Sequence, residues 1–280
     1  PSSVEKIGSC AFENCENLTN AKIDGCVEFS GSTFENCKKL KNVTFPPEIK
    51  DLGYDTFENC TSLKTITIPK TSFSIIGGIF EGCINLEKVI INSDIKECRI
   101  NGTGFADCKK LKSIELPVSL EKIESNSDFY FENVSKDFKF ILDSKNSFFS
   151  VSTDGKMLTS KDGKTLYAWI GASGDITVPD GLTAIGNNFF SNNKNITSVI
   201  IPDSVESVSD NAFVNCTNLT SVVFPKKLKS GEFYSEYHDS TFENEYISLN
   251  FSGCENLTSV ILPTNITFVD FSGCKKIEKL

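Results

Sequence analysis

The sequence is poor in histidine, tryptophan and methionine, each of which occurs only once. A single histidine cannot complete a Cys₂His₂ site, and the 11 cysteines form no C-x-x-C pair, so no metal site is expected. No apolar run approaches the roughly 18 to 20 residues that are needed to cross a bilayer, which excludes a membrane-spanning helix within this segment. In contrast, the sequence contains 23 phenylalanines, so we expect a core of Phe, Ile, Leu and Val.

Sequence signals for catalysis and for nucleotide binding are also missing. His238 is followed by Asp239 and Ser240, but a catalytic triad is defined by geometry and not by adjacency, and no G-x-S-x-G motif accompanies these residues. Gly77-Gly78 and Gly102-x-Gly104 precede no helical pattern, and we expect them at repeat corners, where a positive φ is useful. The sequence therefore predicts no catalytic residue and no cofactor.

The charge balance is acidic, with 28 Lys+Arg against 37 Asp+Glu and a formal net charge of −9. This balance disfavours nucleic acid and anionic lipid as the main partner, although it is compatible with a local basic patch. Its simplest consequence is solubility.

A motif of the form F-x-x-C-x-x-L-x-x-[VI]-x-[FIL]-P recurs from one end of the chain to the other, for example from Phe213 to Pro225. The first copies begin 22 or 23 residues apart, and a period of about 23 lies within the leucine-rich-repeat range of roughly 20 to 29. The leading residues are Phe12, Phe34, Phe57, Phe80, Phe105, Phe190, Phe213, Phe251 and Phe271.

Each copy predicts one short strand. In the copy at Phe213, Leu219, Val222 and Phe224 are spaced so that the last two alternate with outward residues, and Pro225 ends the strand because it cannot donate to a ladder. One unit of this size cannot bury its apolar face, so the units must stack with their strands in a parallel sheet. A second inward pair follows the proline at three and six residues in four copies: Ile49 and Leu52, Leu120 and Ile123, Leu182 and Ile185, Val205 and Val208.

Most cysteines occupy one position of the repeat, three residues after the leading phenylalanine. Stacked coils would place their side chains in parallel at about 4.8 Å, whereas a disulfide needs converging Cβ atoms about 3.8 Å apart. We therefore predict a core ladder of free thiols that act as small hydrophobic side chains, while Cys10, Cys26 and Cys98 lie off the ladder and are available to pair or react. The ladder consists of Cys15, Cys37, Cys60, Cys83, Cys108, Cys216, Cys254 and Cys274.

Two irregular stretches interrupt the period. Residues 126–174 contain a weakened copy from Phe131 and two β-prone runs that flank Asp162-Gly163, which predicts a β-hairpin insert. The 38 residues between Phe213 and Phe251 exceed the period, and we expect an aromatic loop over residues 231–246. The predicted organisation is a single solenoid over residues 1–280, with N-terminal repeats in 1–125 and C-terminal repeats in 175–280.

Candidate binding residues are those that flank the central Val or Ile of each strand and face away from the core. Early copies place polar residues there, whereas late copies place β-branched residues, which form either a contact patch or a face shaped by strand propensity alone. Loops inserted into solenoids also meet partners frequently. The predicted binding set is Ile200, Val223, Ile261, Ser198 and Ser221 on strands, with Phe233, Tyr234, Tyr237, His238 and Tyr246 in the loop.

The repeat resembles the BspA-like (Treponema pallidum type) leucine-rich repeats. The resemblance rests on Ile7-Gly8-Ser-Cys10-Ala11-Phe12, on Ile185-Gly186-Asn-Asn-Phe189-Phe190 and on the closing L-x-x-V-x-F-P, and it covers almost the entire chain. It implies a right-handed, β-rich leucine-rich-repeat solenoid. It also implies a surface protein of a bacterium or a parasitic protist with a role in adhesion.

We therefore predict a non-enzymatic protein-binding module of a cell-surface or secreted protein, whose concave sheet and aromatic loop contact host-cell or extracellular-matrix proteins. Both ends fall in mid-repeat, so we expect a fragment whose signal or anchor lies outside it. One alternative is an intracellular scaffold of the same fold, which unpaired cysteines favour. A less favoured alternative is an enzyme with its site in the irregular stretches.

Overall fold

The computed structural model describes residues 2–25, 27–71, 78–92, 94–99, 102–124, 131, 133–186, 189–229 and 247–280. The described chain folds as a parallel β solenoid of about ten turns, which confirms the predicted fold class. It separates into two compact units. Unit 1 holds the described residues within 1–127 and 131–158, and unit 2 holds those within 159–280.

Unit 1 is built from short strands. In each copy of the motif the strand begins soon after the leucine and ends where the chain turns again. The strands are β1 (Lys6–Ile7), β2 (Asn20–Lys22), β3 (Glu28–Phe29), β4 (Asn42–Thr44), β5 (Thr65–Ile68), β6 (Lys88–Ile91), β7 (Glu97–Arg99), β8 (Ser113–Leu116), β9 (Lys122–Glu124), β10 (Lys139–Leu142) and β11 (Phe149–Val151). The four-stranded sheet has the order β5, β6, β8, β10, all parallel, and two-stranded ladders join β1 to β3, β2 to β4 and β7 to β9. A 3-10 helix, Gly102–Phe105, precedes β8.

Unit 2 repeats this construction, and the division between the units falls within β12 (Met157–Ser160). The remaining strands are β13 (Thr165–Trp169), β14 (Gly174–Thr177), β15 (Ala184–Ile185), β16 (Ile196–Ile200), β17 (Ser207–Val208), β18 (Ser221–Val223), β19 (Ser248–Asn250), β20 (Ser259–Ile261) and β21 (Phe268–Asp270). A four-stranded parallel sheet has the order β14, β16, β18, β20, and a two-stranded ladder joins β19 to β21. β13, β15 and β17 are also joined in parallel.

The leading phenylalanines form one column of stacked rings in each unit. Neighbouring rings from Phe12 to Phe131 lie 5.2 to 5.8 Å apart between centroids, and those from Phe190 to Phe271 lie 5.3 to 5.7 Å apart. Near-parallel rings at this spacing gain dispersion and offset-stacking energy beyond simple burial. The inward pairs that follow each proline are buried as predicted, for example Ile49 and Val208.

Each coil turns through a left-handed residue that lies two positions after the phenylalanine and directly before the ladder cysteine. The sequence places Asn, Gly or Asp there, the residue types that tolerate a positive φ. A Cβ at Gly253 would come within 2.2 Å of Asn215 Oδ1, so a larger residue in this coil would require the Asn215 side chain to move. The positions are Asn14, Asn36, Asn59, Gly82, Asp107, Asn133, Asn192, Asn215, Gly253 and Gly273.

The hairpin predicted at Asp162-Gly163 is confirmed, because β12 and β13 are hydrogen-bonded neighbours that four residues connect. A second turn of the same kind precedes it, with Asp154-Gly155 between β11 and β12. The prediction named only one turn. Both turns begin at a serine whose carbonyl accepts the glycine N–H, at 2.8 Å in the first turn and 3.0 Å in the second.

Candidate functional site

The outward face of the sheet β14, β16, β18 and β20 carries two rows of side chains in register. Ser198 pairs with Ser221 and Ser221 with Ser259, and we call these three the hydroxyl row. Two residues further along each strand, Ile200, Val223 and Ile261 pair in the same way and form the aliphatic row. The valine between the two rows in each strand points into the core: Val199, Val222 and Val260 are buried.

The aliphatic row is open to solvent although it consists of β-branched residues. Ile200 is 47% exposed and Ile261 is 60% exposed, while Val223 between them is half-buried. The pleat explains this placement, because each inward valine forces its two neighbours onto the opposite face. These exposures place both isoleucines among the large apolar side chains that the described chain leaves in water.

The structure adds Asp175 and Thr177 of β14 to this face, residues that the repeat motif did not single out. Asp175 pairs with Ser198 and Thr177 with Ile200. The Asp175 carboxylate accepts hydrogen bonds from the hydroxyls of Ser198 and Thr197, each at 2.7 Å, and these bonds hold its pKa below the ordinary value. The repeat copy that contains β14 lacks the leading Phe and Cys, so only its ending, Ile176-Thr-Val-Pro179, identifies it as a copy in the sequence.

The equivalent positions in unit 1 carry charge. In unit 1, the row that corresponds to the aliphatic row consists of Thr67, Ile90, Glu115 and Ile141. These residues are in register across β5, β6, β8 and β10. Glu115 forms an ion pair with Lys88 at 2.6 Å on the same face. A continuous uncharged apolar row is therefore a property of the unit 2 sheet face, as the comparison of early and late copies predicted.

The loop half of the predicted binding set cannot be placed on this face. Phe233, Tyr234, Tyr237, His238 and Tyr246 lie outside the described residues. Their role stays a prediction from the sequence. The strand half of the set, Ser198, Ser221, Ile200, Val223 and Ile261, is brought together on one face.

The ladder cysteines are free thiols, and within the described structure all of them except Cys15 donate a hydrogen bond across coils. Cys60 Sγ donates to the Phe34 carbonyl at 3.2 Å, and Cys254 Sγ donates to the Phe213 carbonyl at 3.0 Å. The expectation that these residues act only as small hydrophobic side chains is thus incomplete, because the thiol is also a donor. The same bond recurs at Cys37, Cys83, Cys108, Cys216 and Cys274.

Three cysteines differ from their expected environment. Cys15 belongs to the ladder by sequence but is exposed, and Cys274 is only partly covered. Cys98 was expected to be available for reaction, yet its side chain is buried. Burial raises the pKa of Cys98 to about 12 and that of Cys37 to about 11, so both thiols stay protonated at neutral pH.

Cys10 remains exposed, as expected of an accessible thiol, whereas Cys26 lies outside the described residues. Within the described part of the chain, no three His, Cys, Asp or Glu side chains come together to hold a metal ion. Among the same residues, no helix has the length and apolarity that a membrane crossing requires.

Solved structures of similar fold come from bacteria. A leucine rich cell surface protein of Faecalibacterium prausnitzii is 21% identical, with a TM-score of 0.58 over 98% of this chain and 82% of that chain. A leucine-rich repeat protein of Eubacterium ventriosum is 19% identical, with a TM-score of 0.54 over 97% of this chain and 71% of that one. The pneumococcal vaccine antigen PcpA is 15% identical, with a TM-score of 0.55 over 98% and 73%. At these identities the likeness establishes the fold alone.

The comparison with curated proteins found no match. The model of the BspA type leucine rich repeat region matches residues 1–101 and 79–151 with six copies, which together span more than half of the chain. The matched residues end at 151, before the part of unit 2 that starts at residue 159, and they include the buried Phe, Cys and Leu positions of unit 1. The chain therefore belongs to the BspA-type leucine-rich-repeat family.

Proposed function

We propose that this chain is a non-enzymatic protein-binding module of a cell-surface or secreted protein, and that it binds host or matrix proteins through the unit 2 sheet face. The observation that carries the proposal is the exposed aliphatic row, Ile200, Val223 and Ile261, beside the hydroxyl row. Apolar side chains held in register on a rigid sheet lose little conformational entropy on contact, which favours binding. The family membership supports a surface or secreted location, and so does the structural similarity to the leucine rich cell surface protein of Faecalibacterium prausnitzii.

The chemistry of the face indicates an uncharged, partly apolar partner surface. Interface cores are depleted in charged residues, and the two rows contain none. Asp175 is the charged residue that pairs with the hydroxyl row, and its carboxylate is already engaged by two hydroxyls. The segment 231–246 is the proposed second contact, on account of its aromatic side chains.

The proposal is tested with the triple variant Ile200→Lys, Val223→Lys and Ile261→Lys. Binding of the labelled protein to host cells and to immobilised extracellular-matrix proteins should fall at least about tenfold, because three charges would be desolvated against an apolar partner. The melting temperature should change little, since these side chains already face water. A separate variant that lacks residues 231–246 is measured for binding in the same assay.

A matched control is available in unit 1. Changing Thr67, Ile90 and Ile141 to lysine adds the same charge at equivalent row positions, and it should leave binding unchanged. Equal losses in both variants would show a general charge effect. Unchanged binding in the unit 2 variant, measured with a partner that the parent protein binds, would refute the assignment of the face.

A second candidate function is an intracellular scaffold. All ten described cysteines are free, which is typical of a reducing compartment. Labelling of intact source cells with a membrane-impermeant reagent separates the two candidates. A labelled chain supports the surface module, whereas labelling only after lysis supports the scaffold.

A further inference from the structure

Unit 1 carries an exposed stripe of lysines along the turns that lead into its sheet. The stripe consists of Lys38, Lys39 and Lys41 in one coil, Lys64 in the next, and Lys109, Lys110 and Lys112 two coils further on. All seven lysines are exposed. We call these seven residues the basic stripe; it lies within an acidic protein of net charge −9.

Contacts between coils show that the turns of the stripe stack in order. The Thr61 hydroxyl donates to the Lys38 carbonyl at 3.2 Å, and the Asn85 amide donates to the Thr61 carbonyl at 2.7 Å. Lys110 Nζ then reaches the Asn85 side chain at 2.8 Å. At about 4.8 Å per coil, the stripe extends about 14 Å along the stacking direction.

Four of the seven lysines, Lys39, Lys41, Lys64 and Lys110, make no ion pair with any described residue. The other three are paired: Lys38 with Glu16 at 3.7 Å, Lys109 with Asp107 at 3.6 Å and Lys112 with Glu87 at 3.1 Å. Lys64 and Lys110 also help to lower the pKa of Glu87. Three lysines thus surround one carboxylate, and the cluster keeps a net positive charge.

The same turn positions in unit 2 are mostly uncharged. Thr197, Thr220 and Thr258 occupy the position directly after the motif leucine or isoleucine. Unit 1 places Lys41, Lys64 and Lys112 there in three copies, and Thr19 and Glu87 in two others. The fold is common to both units, so it does not require lysine at these positions. The lysines of unit 1 are therefore a surface feature and not a structural necessity.

A row of carboxylates borders the stripe and limits the shape of its partner. Glu13, Glu35, Glu58 and Glu81 follow the leading phenylalanines of four successive coils, and no described lysine pairs with them. Glu35 lies three residues before Lys38, so at most about 11 Å of chain separates the two rows. That distance is close to the Debye length at physiological salt, so the glutamates are not fully screened from a partner on the lysines. A broad anionic surface would touch both rows and be repelled by the glutamates.

We propose that the basic stripe binds a linear sulfated polysaccharide. A single flexible polyanion can follow one row of lysines and avoid the neighbouring glutamates, whereas a membrane or a DNA duplex is wide enough to be repelled by them. Lysine contacts one sulfate group at a time as a point charge, which suits a chain of separated anionic groups. Binding of this kind is independent of the unit 2 face and adds a second ligand class to the proposed module.

The test uses the full chain and heparin as the probe, with affinity measured as a function of salt. The variant Lys41→Gln, Lys64→Gln and Lys110→Gln should bind heparin about tenfold more weakly at about 0.1 M salt and with a shallower salt dependence. The control variant Lys226→Gln, Lys227→Gln and Lys276→Gln removes the same charge from unit 2. It includes Lys276, whose bond to Asn256 at 2.7 Å matches that of Lys110 to Asn85.

Retention of heparin binding by the control variant and its loss in the stripe variant would support the proposal. Three results would overturn it: no binding of the parent protein to heparin, equal losses in both variants, or equal binding of desulfated heparin. Tighter binding of phosphatidylserine vesicles or of duplex DNA than of heparin would also overturn it. A melting curve of each variant identifies any loss of folding, because all six lysines are exposed.

Discussion

In most coils the ladder position holds a small side chain that also donates a hydrogen bond. This residue is a cysteine in eight coils, Asn193 in the coil of Phe190 and Val134 in the coil of Phe131. The Asn193 amide donates to the Ala172 carbonyl at 3.1 Å, and its oxygen accepts from the N–H of Asn195 and of Ile196. Because Cys and Asn share donor ability and not hydrophobicity, the hydrogen bond helps to explain the choice of residue where the position is buried. Val134 shows that a coil also forms without a donor there.

We predict that Cys60→Val destabilises the protein by about 1 kcal/mol, the net value of a typical buried hydrogen bond. The Phe34 carbonyl would keep only the backbone bond from Cys37, at 3.1 Å. Urea unfolding of the variant and of the parent protein measures the difference. Cys15→Val is the control at the same repeat position; it is exposed and should change the stability by less than about 0.5 kcal/mol.

Thiol reactivity should follow burial and not position in the repeat. At about pH 8 we expect iodoacetamide to modify the exposed Cys15 and Cys10 before the inner described thiols, because the thiolate is the nucleophile and burial raises the pKa of the inner thiols. Cys10 should react more slowly than Cys15, since a hydrogen bond with Glu13 raises the pKa of Cys10. Cys98 and Cys108, whose pKa values burial raises to about 12, should react only after unfolding. Peptide mapping by mass spectrometry measures each site, and modification of Cys98 as fast as Cys15 would contradict the buried placement.

At the scale of elements, the insert contains two turns of the same construction. In each turn a serine hydroxyl donates to the aspartate two residues later, Ser152 to Asp154 at 2.5 Å and Ser160 to Asp162 at 2.6 Å. The Asp162 carboxylate also accepts the Lys164 N–H at 3.0 Å. These bonds favour the ionised form, so the pKa of both aspartates lies below the ordinary value.

Because the pKa of Asp162 is lowered, the stability of the second turn depends on pH. The contribution of Asp162 is complete above its ordinary pKa of 3.8 and is lost as the pH falls through its lower folded value. We therefore expect Asp162→Asn to be less stable than the parent at neutral pH, with a difference that narrows below about pH 4. Thermal melts at several pH values measure this, and Ser160→Ala should raise the Asp162 pKa in a carboxyl NMR titration.

The strands themselves were predictable from local pattern, and the turns were predictable only in part. Alternation around Val222 and the proline that follows predict β18, and Asp162-Gly163 predicts its hairpin. The sequence pattern did not predict the left-handed residue before the ladder position, because the side chains of Asn, Gly and Asp have no chemical property in common that marks the position. They share a tolerance of positive φ, which becomes visible only once the backbone is known.

At the scale of the whole molecule, we propose a single solenoid over residues 1–280. Repeat proteins unfold through neighbour interactions, so residues 1–125 and 175–280 should become unprotected together in denaturant if they form one cooperative core. Hydrogen exchange followed by mass spectrometry at increasing urea measures both ranges in one experiment. Loss of protection in one range while the other remains protected would replace this proposal with two independent domains.

The sequence by itself determined the repeat, the parallel strands and the identity of the core, because a period of about 23 residues with fixed Phe, Cys and Leu positions can bury its apolar face only by stacking. The alternation around each central valine also determined that Ile200, Val223 and Ile261 face outward. Only the tertiary structure decided which of these residues become neighbours, since strand register depends on how successive coils stack. The same stacking revealed that Asp175 joins the hydroxyl row, that Cys98 is buried and that lysines far apart in sequence form one stripe.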